Sequence, residues 1–208
     1  WIPLLSVPRH LKVSPANPII SEKYIYPNKS LLEKWREKLS TQKRPIIGIN
    51  WQGNPMSEMR SHKGRSIPLN KLFLIAEKFD ISFVSLQKGY GSEQLETCNF
   101  KDRFVDCQGQ INEIMDFSEI GAIIANCDLV ITCDTYVAHL AGGIGVLTWL
   151  LLKYVPDWRW GINGSQTFWY STMRLFRQKS NEDWDEVIYS ISSELAILLE
   201  TNKQWIRR

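Results

Sequence analysis

The sequence predicts an α/β fold, a Rossmann-like doubly wound parallel sheet. Three observations carry that expectation. From Pro45 onward, strand-like and helix-like patterns alternate along the chain. The strand candidates are short apolar runs, as expected for strands covered by helices on both faces. The clearest helix candidates each show one apolar stripe, a single face to bury against such a sheet. Alternation of this kind implies right-handed crossovers between parallel strands. With 208 residues there is room for one sizeable core plus an extension, or at most two small domains.

Residues 1–29 are proline-rich with little periodicity and read as an extended linker lying on a surface. Ser30-Leu31-Leu32-Glu33 has capping-box spacing, and Leu32, Trp35 and Leu39 share a helical face. Lys43-Arg44-Pro45 ends that helix. The division is therefore 1–44 as linker and helix, 45–200 as the main domain and 201–208 as a C-terminal tail. Ile46–Trp51 is the first strand. Pro68 opens a helix whose stripe is Leu69, Leu72, Phe73, Ala76 and Phe79. Ile81–Leu86 is the second strand, followed by a weaker helix at Ser92–Cys98 and a short strand at Arg103–Asp106. Asp116-Phe117-Ser118-Glu119 has capping-box spacing for a helix reaching Asn126. Asp128–Thr132 is a buried strand, and Asp134 caps a helix reaching Ala141. Val146–Leu151 is another strand and Leu175-Phe176 a last short one. The final helix aligns Trp184, Val187, Ile188, Ile191, Leu195 and Leu198.

Composition narrows the function. A net charge of +3, with no basic run interleaved with aromatics, argues against a nucleic-acid binder. Nine tryptophans are unusual; they serve either as core plugs or as platforms for stacking sugars and bases, and Trp158, Trp160, Trp169 and Tyr170 form the tight group. The four cysteines, Cys98, Cys107, Cys127 and Cys133, form no C-x-x-C pair, so neither a zinc site nor a redox motif is indicated. Cys127 and Cys133 read as small core residues, and a reducing, cytoplasmic setting fits best. The longest apolar stretch, Val146–Leu152, is too short for a membrane span, and no signal peptide is visible. A start at Trp1 is expected of a piece of a longer protein.

Doubly wound sheets bind ligands beyond the carboxyl ends of their strands, so function is expected in loops 52–66, 87–92, 107–115, 132–135 and 152–173. After the first strand, Gly53 permits close backbone approach, and Lys63 and Arg65 are suited to phosphate. Gln87 and Lys88 follow the second strand and face the same crevice. In Cys133-Asp134-Thr135-Tyr136-Val137-Ala138-His139 a buried strand delivers the chain to a helix N-terminus, where free N–H groups and the helix dipole favour phosphate. Thr135 and His139 share a face of that helix. Trp158 and Arg159 are expected on one rim of the ligand pocket. Two motifs mislead. Asp183-Trp184-Asp185 matches a D-x-D metal pattern but sits in the first turn of an amphipathic helix. Gly142-Gly143-Ile144-Gly145 is not a dinucleotide fingerprint, and no Walker A motif is present.

Asp128-Leu129-Val130-Ile131-Thr132-Cys133-Asp134-Thr135 with Ala138-His139-Leu140-Ala141-Gly142 resembles the donor-site signature of heptosyltransferase-like glycosyltransferases of family 9. Over nearly the whole chain the sequence is most similar to the glycosyltransferase domain behind tetratricopeptide repeats in bacterial proteins. Ile2-Pro3-Leu4-Leu5-Ser6, Trp51-Gln52-Gly53-Asn54, Ser85-Leu86-Gln87-Lys88-Gly89, Asp157-Trp158-Arg159-Trp160 and Arg174-Leu175-Phe176-Arg177-Gln178 carry that likeness. The resemblance implies the C-terminal lobe of a GT-B fold, binding a nucleoside-diphosphate sugar without a metal or other cofactor. It implies that Asp134, Thr135 and His139 line the sugar and phosphate site and that Arg65 is the basic phosphate contact. The family's N-terminal lobe, which supplies the general base and acceptor surface, has no counterpart here, so no catalytic residue is assigned. A non-catalytic binding module and another GT-B-like enzyme, such as a sugar epimerase, remain the alternatives.

Overall fold

Five strands, β1 (Ile46–Asn50), β2 (Ser82–Ser85), β3 (Leu129–Cys133), β4 (Thr148–Leu152) and β5 (Met173–Arg177), form one sheet in the order β2-β1-β3-β4-β5. Every neighbouring pair is parallel. The helices are α1 (Val7–His10), α2 (Lys29–Leu39), α3 (Pro55–Ser57), α4 (Phe73–Lys78), α5 (Gln108–Glu113), α6 (Phe117–Ala125), α7 (Tyr136–Ile144) and α8 (Asp185–Thr201). This computed structural model describes residues 1–14, 16–18 and 23–202; most of the expected tail at 201–208 lies outside the described residues. The chain is a Rossmann-like α/β fold, as its alternating pattern predicts.

The period of two along each strand divides the core. Ile47, Ile49, Leu129 and Ile131 join Leu72 and Ile75 and the α8 stripe of Val187, Ile188, Ile191 and Leu195 on one face. Ile46, Val84 and Val130 face the other way, against Trp35 and Leu39 of α2, Ile120 and Ile123 of α6, and Val137 and Leu140 of α7. A smaller cluster beyond β4 and β5 packs Trp160 against Ala138, Leu150, Leu152 and Leu175. All four cysteines are free and buried. Burial raises every one of these thiols, Cys107 to about 11, so none is a ready nucleophile.

Several local expectations are corrected. Residues 4–10 are helical rather than extended, with Pro8 in the first turn of α1. The cap of α2 is Asn28, not the Ser30 box: its Oδ1 accepts from Ser30 N (2.9 Å) and Leu31 N (3.3 Å). The segment after Pro68 opens as a 3-10 turn, Leu69–Leu72, before α4 begins, and Ser92–Thr97 is also 3-10. Residues 103–106 make only an isolated bridge, Phe104 to Phe83. Helix α5 and the π turn at Glu58–His62 were not anticipated, because neither segment shows a clear apolar period.

Candidate functional site

The sheet order reverses direction between β1 and β3, which makes the carboxyl ends of these strands the topological switch point. A cavity of about 290 Å³ opens at that point, lined by Asn50, Gly53, Asn54, Arg65, Gln87, Lys88, Thr135 and Tyr136 among others. Its floor is a polar lock. Asn50, at the end of β1, is buried; its Nδ2 donates to Gln87 Oε1 (2.8 Å) and its Oδ1 accepts from Thr135 Oγ1 (2.6 Å) and Thr132 Oγ1 (3.2 Å). Gln87 Oε1 also accepts from Gln52 N (2.9 Å), and its Nε2 donates to Gln52 O (3.0 Å) and Tyr90 O (2.6 Å). One amide thus joins the loops after β1 and β2, and its hydrogen-bonding capacity is used within the protein.

Thr135, not Asp134, caps α7. Its backbone is extended and its hydroxyl accepts from Val137 N (3.3 Å), because β3 runs to Cys133 and leaves Asp134 in the turn. The N-terminus of α7 stands beside the cavity, with Val137 N taken by the cap and Ala138 N by Thr135 O (3.2 Å). Arg65 crosses the crevice. Its Nη1 donates to Asp134 O (3.0 Å), its Nε lies 3.6 Å from Glu58 Oε1, and that Nε is buried without a hydrogen bond. Gly53 makes room for it: a Cβ there would fall 2.2 Å from Arg65 Nε. Gly53 therefore seats the guanidinium. Glu58, on the π turn, accepts from Ser66 Oγ as well.

The other expected residues are dispersed. Lys88 reaches away to Ile114 O. Lys63 is exposed and does not line the cavity; its carbonyl accepts from Lys153 Nζ (3.1 Å). His139 lies one turn into α7, in a neighbouring aromatic pocket of about 400 Å³ lined by Tyr24, Tyr26, Phe117 and Leu140 among others. Tyr136 lines both cavities and so forms the wall between them. Burial lowers the His139 pKa, and the nearby Asp134 opposes that shift.

Trp158 and Arg159 line a third hollow, with Pro8 and Val13, that shares no lining residue with the crevice. Trp158 is 73% exposed whereas Trp160 is 3% exposed. Arg159 pairs with Asp157 (3.3 Å) and lies over the Trp158 ring. The loop is fastened by Arg177, which donates to the carbonyls of Gly164, Gly161, Trp160 and Asn163 at 2.7, 3.0, 2.5 and 3.3 Å.

The misleading motifs have structural roles. Gly142 and Gly143 admit neighbours: a Cβ at Gly142 would lie 2.5 Å from the Tyr170 ring, and one at Gly143 2.6 Å from Ile25 Cδ1. Asp183 accepts from Asp185 N (3.1 Å), Asp185 pairs with Lys71, and Trp184 is buried. Sequence reasoning missed Asn50, Glu58 and Tyr136. A lone polar residue closing an apolar strand beside the crevice was the available signal for Asn50.

Fold and crevice together define a doubly wound α/β lobe with a polar cavity at the β1/β3 switch point. Solved structures similar to it are glycosyltransferases. E. coli ADP-heptose lipopolysaccharide heptosyltransferase II is 15% identical, with a TM-score of 0.62 over 93% of this chain and 57% of its own. A family 9 glycosyltransferase from Veillonella parvula is 14% identical, with a TM-score of 0.56 over 95% of this chain and 57% of its own. The C-terminal domain of a group 1 glycosyltransferase from Francisella tularensis, 14% identical, aligns with a TM-score of 0.50 over 89% of this chain and 90% of its own. The likeness establishes a GT-B-type glycosyltransferase lobe as the fold. The chain spans a little over half the length of the first two. No protein-family model and no curated protein matches the sequence.

Proposed function

We propose that this chain is the donor-binding lobe of a metal-independent glycosyltransferase that uses a nucleoside-diphosphate sugar. The observation that carries the reading is Arg65, held across the switch-point crevice beside the N-terminus of α7 by Gly53, Asp134 O and Glu58. A guanidinium in one cavity with the N-terminus of α7, whose dipole favours negative charge, forms an electrostatic cradle for a diphosphate. Its chemical use is to stabilise charge growing on the leaving diphosphate as the anomeric bond breaks. Another similar structure, an E. coli heptosyltransferase with a TM-score of 0.50, was solved with ADP-2-deoxy-2-fluoro heptose. Tyr136 and His139 face the sugar side, and Thr135 stands in the floor of the crevice. Gln87 acts by bracing the loops, while Lys63 and Lys88 reach the ligand only by swinging from their present positions.

The partner implied is an N-terminal GT-B lobe carrying the base and the acceptor surface, so this chain alone transfers sugar poorly. Buried free thiols fit a cytoplasmic setting. Among the described residues no helix is long and apolar enough to cross a membrane. A thermal-shift screen with UDP-, GDP-, ADP- and CMP-linked sugars, each with and without EDTA, tests the proposal. A ligand at about 100 times its Kd adds roughly 2.7 kcal/mol of stability. Strict dependence on Mg²⁺ or Mn²⁺ contradicts it.

A further inference from the structure

Two tyrosines form a relay that ends on the His139 ring, and a tryptophan stacks on it. Tyr170 Oη lies 2.9 Å from His139 Nδ1. Tyr24 Oη lies 3.4 Å from Tyr170 Oη. Trp160 stacks on the imidazole, with centroids 5.2 Å apart and planes 23° apart, and Tyr170 meets it at 62°. Each member is fixed from behind. Gly142 seats the Tyr170 ring, and Tyr24 N and Ile25 N both donate to Gly143 O at 3.0 Å. His139 Nε2 makes no hydrogen bond to a described residue, and the side chain lines the aromatic pocket at the Tyr136 wall.

A phenol carries one proton. The Tyr170 oxygen lies closer to His139 Nδ1 (2.9 Å) than to Tyr24 Oη (3.4 Å), so its proton goes to the imidazole. A phenolic O–H is also a better donor than an imidazole N–H, and an imidazole nitrogen a better acceptor than a phenol oxygen, so O–H···N is the stronger arrangement. With Nδ1 accepting, the neutral ring carries its proton on Nε2. Burial acts against the doubly protonated ring, although Asp134 and Asp157 favour it and Arg159 opposes it.

We infer that Tyr170 is a positioning residue: by donating to Nδ1 it holds His139 as the Nε2–H tautomer, so that His139 donates a hydrogen bond to a hydroxyl of the donor sugar and does not accept its proton. The sugar contact rests on the donor-site reading above; the tautomer does not. His139 then reads the sugar, while the diphosphate is held on the far side of Tyr136. Tyr24 gives this contact a link to the segment preceding α2.

Long-range ¹H–¹⁵N spectra of the full chain near pH 7.5 test the tautomer directly. His139 is identified among the chain's three histidines by its loss in His139→Gln. The expected result is the Nε2–H form in the wild type, shifting to a mixture in Tyr170→Phe, whose ring still packs on Gly142. Tyr24→Phe should give a smaller shift in the same direction. An Nδ1–H signal in the wild type, or an unchanged tautomer in Tyr170→Phe, overturns the inference. Calorimetry with UDP-glucose, GDP-mannose and ADP-glucose against UDP, GDP and ADP tests the second half. Tyr170→Phe should weaken the sugar nucleotide that binds best by roughly 3–10-fold and leave its parent diphosphate unchanged. Equal loss for both overturns the sugar contact. Absence of any nucleotide binding by the wild type rejects the donor-site reading, and the sugar contact with it, while the spectra still decide the tautomer.

Discussion

The crevice between β1 and β3 and the aromatic loop after β4 both follow strand carboxyl ends, yet they are held together differently. In the crevice, Asn50 and Gln87 lock three loops through side-chain hydrogen bonds, and Arg65 lies over a glycine with its Nε beside Glu58 but without a hydrogen bond. In the aromatic loop, a buried Trp160 is the anchor and Arg177 binds four backbone carbonyls. The first arrangement holds its polar side chains in fixed geometry around a cavity. The second turns its strongest polar group toward its own backbone. The same topological position therefore yields a polar cavity, proposed as the donor site, in one place and a structural plug in the other.

The largest test of that difference is Trp160→Ala. Truncation of a buried tryptophan should lower stability by roughly 3–5 kcal/mol in urea unfolding. A loss below about 1 kcal/mol would remove the plug from the account. Arg65→Ala should weaken nucleoside-diphosphate binding by roughly 1.5–3 kcal/mol, measured by calorimetry. The side chain is 13% exposed and bonded to Asp134 O. A stability loss of about 1–2 kcal/mol should accompany the substitution.

His139 links the two regions, since it belongs to α7 and stacks on Trp160. Its pKa is lowered by burial in the folded protein, so the unfolded chain binds more protons between the folded value and about 6.5. Its contribution to stability is full above that range and falls as pH drops through it. Urea unfolding at pH 7.5 and 5.5 should show a smaller difference in His139→Gln than in the wild type. The smallest effect is expected for Trp158→Ala, within about 0.5 kcal/mol of the wild type, with diphosphate affinity unchanged. A drop in that affinity would extend the donor site into the Trp158 hollow.

Alternation of pattern was enough to read the sheet, since each of the five strands lies on an apolar run and the α8 stripe is buried as its spacing implies. Helix ends were harder. Asn28 and Thr135 cap helices that spacing assigned to Ser30 and Asp134, because a capping side chain depends on where the preceding backbone becomes extended. At the site, Gly53, Arg65, Gln87, Lys88 and Thr135 share one cavity as their loops imply. Their roles were less legible. Gln87 braces loops 35 residues away in sequence, a fact that only the register of β1 with β2 determines. Trp158 and Arg159 separate from the crevice because Arg177, on β5, draws the loop toward itself.

The central claim is that the β1/β3 crevice binds a diphosphate through Arg65 without a metal. Calorimetric titration of wild type and Arg65→Ala with UDP, GDP and ADP, all in EDTA, tests it most directly. Saturable binding of at least one nucleotide by the wild type, weakened roughly 10–150-fold in Arg65→Ala, is the expected result. Binding that appears only with added divalent metal, or that is unchanged in Arg65→Ala, would contradict it.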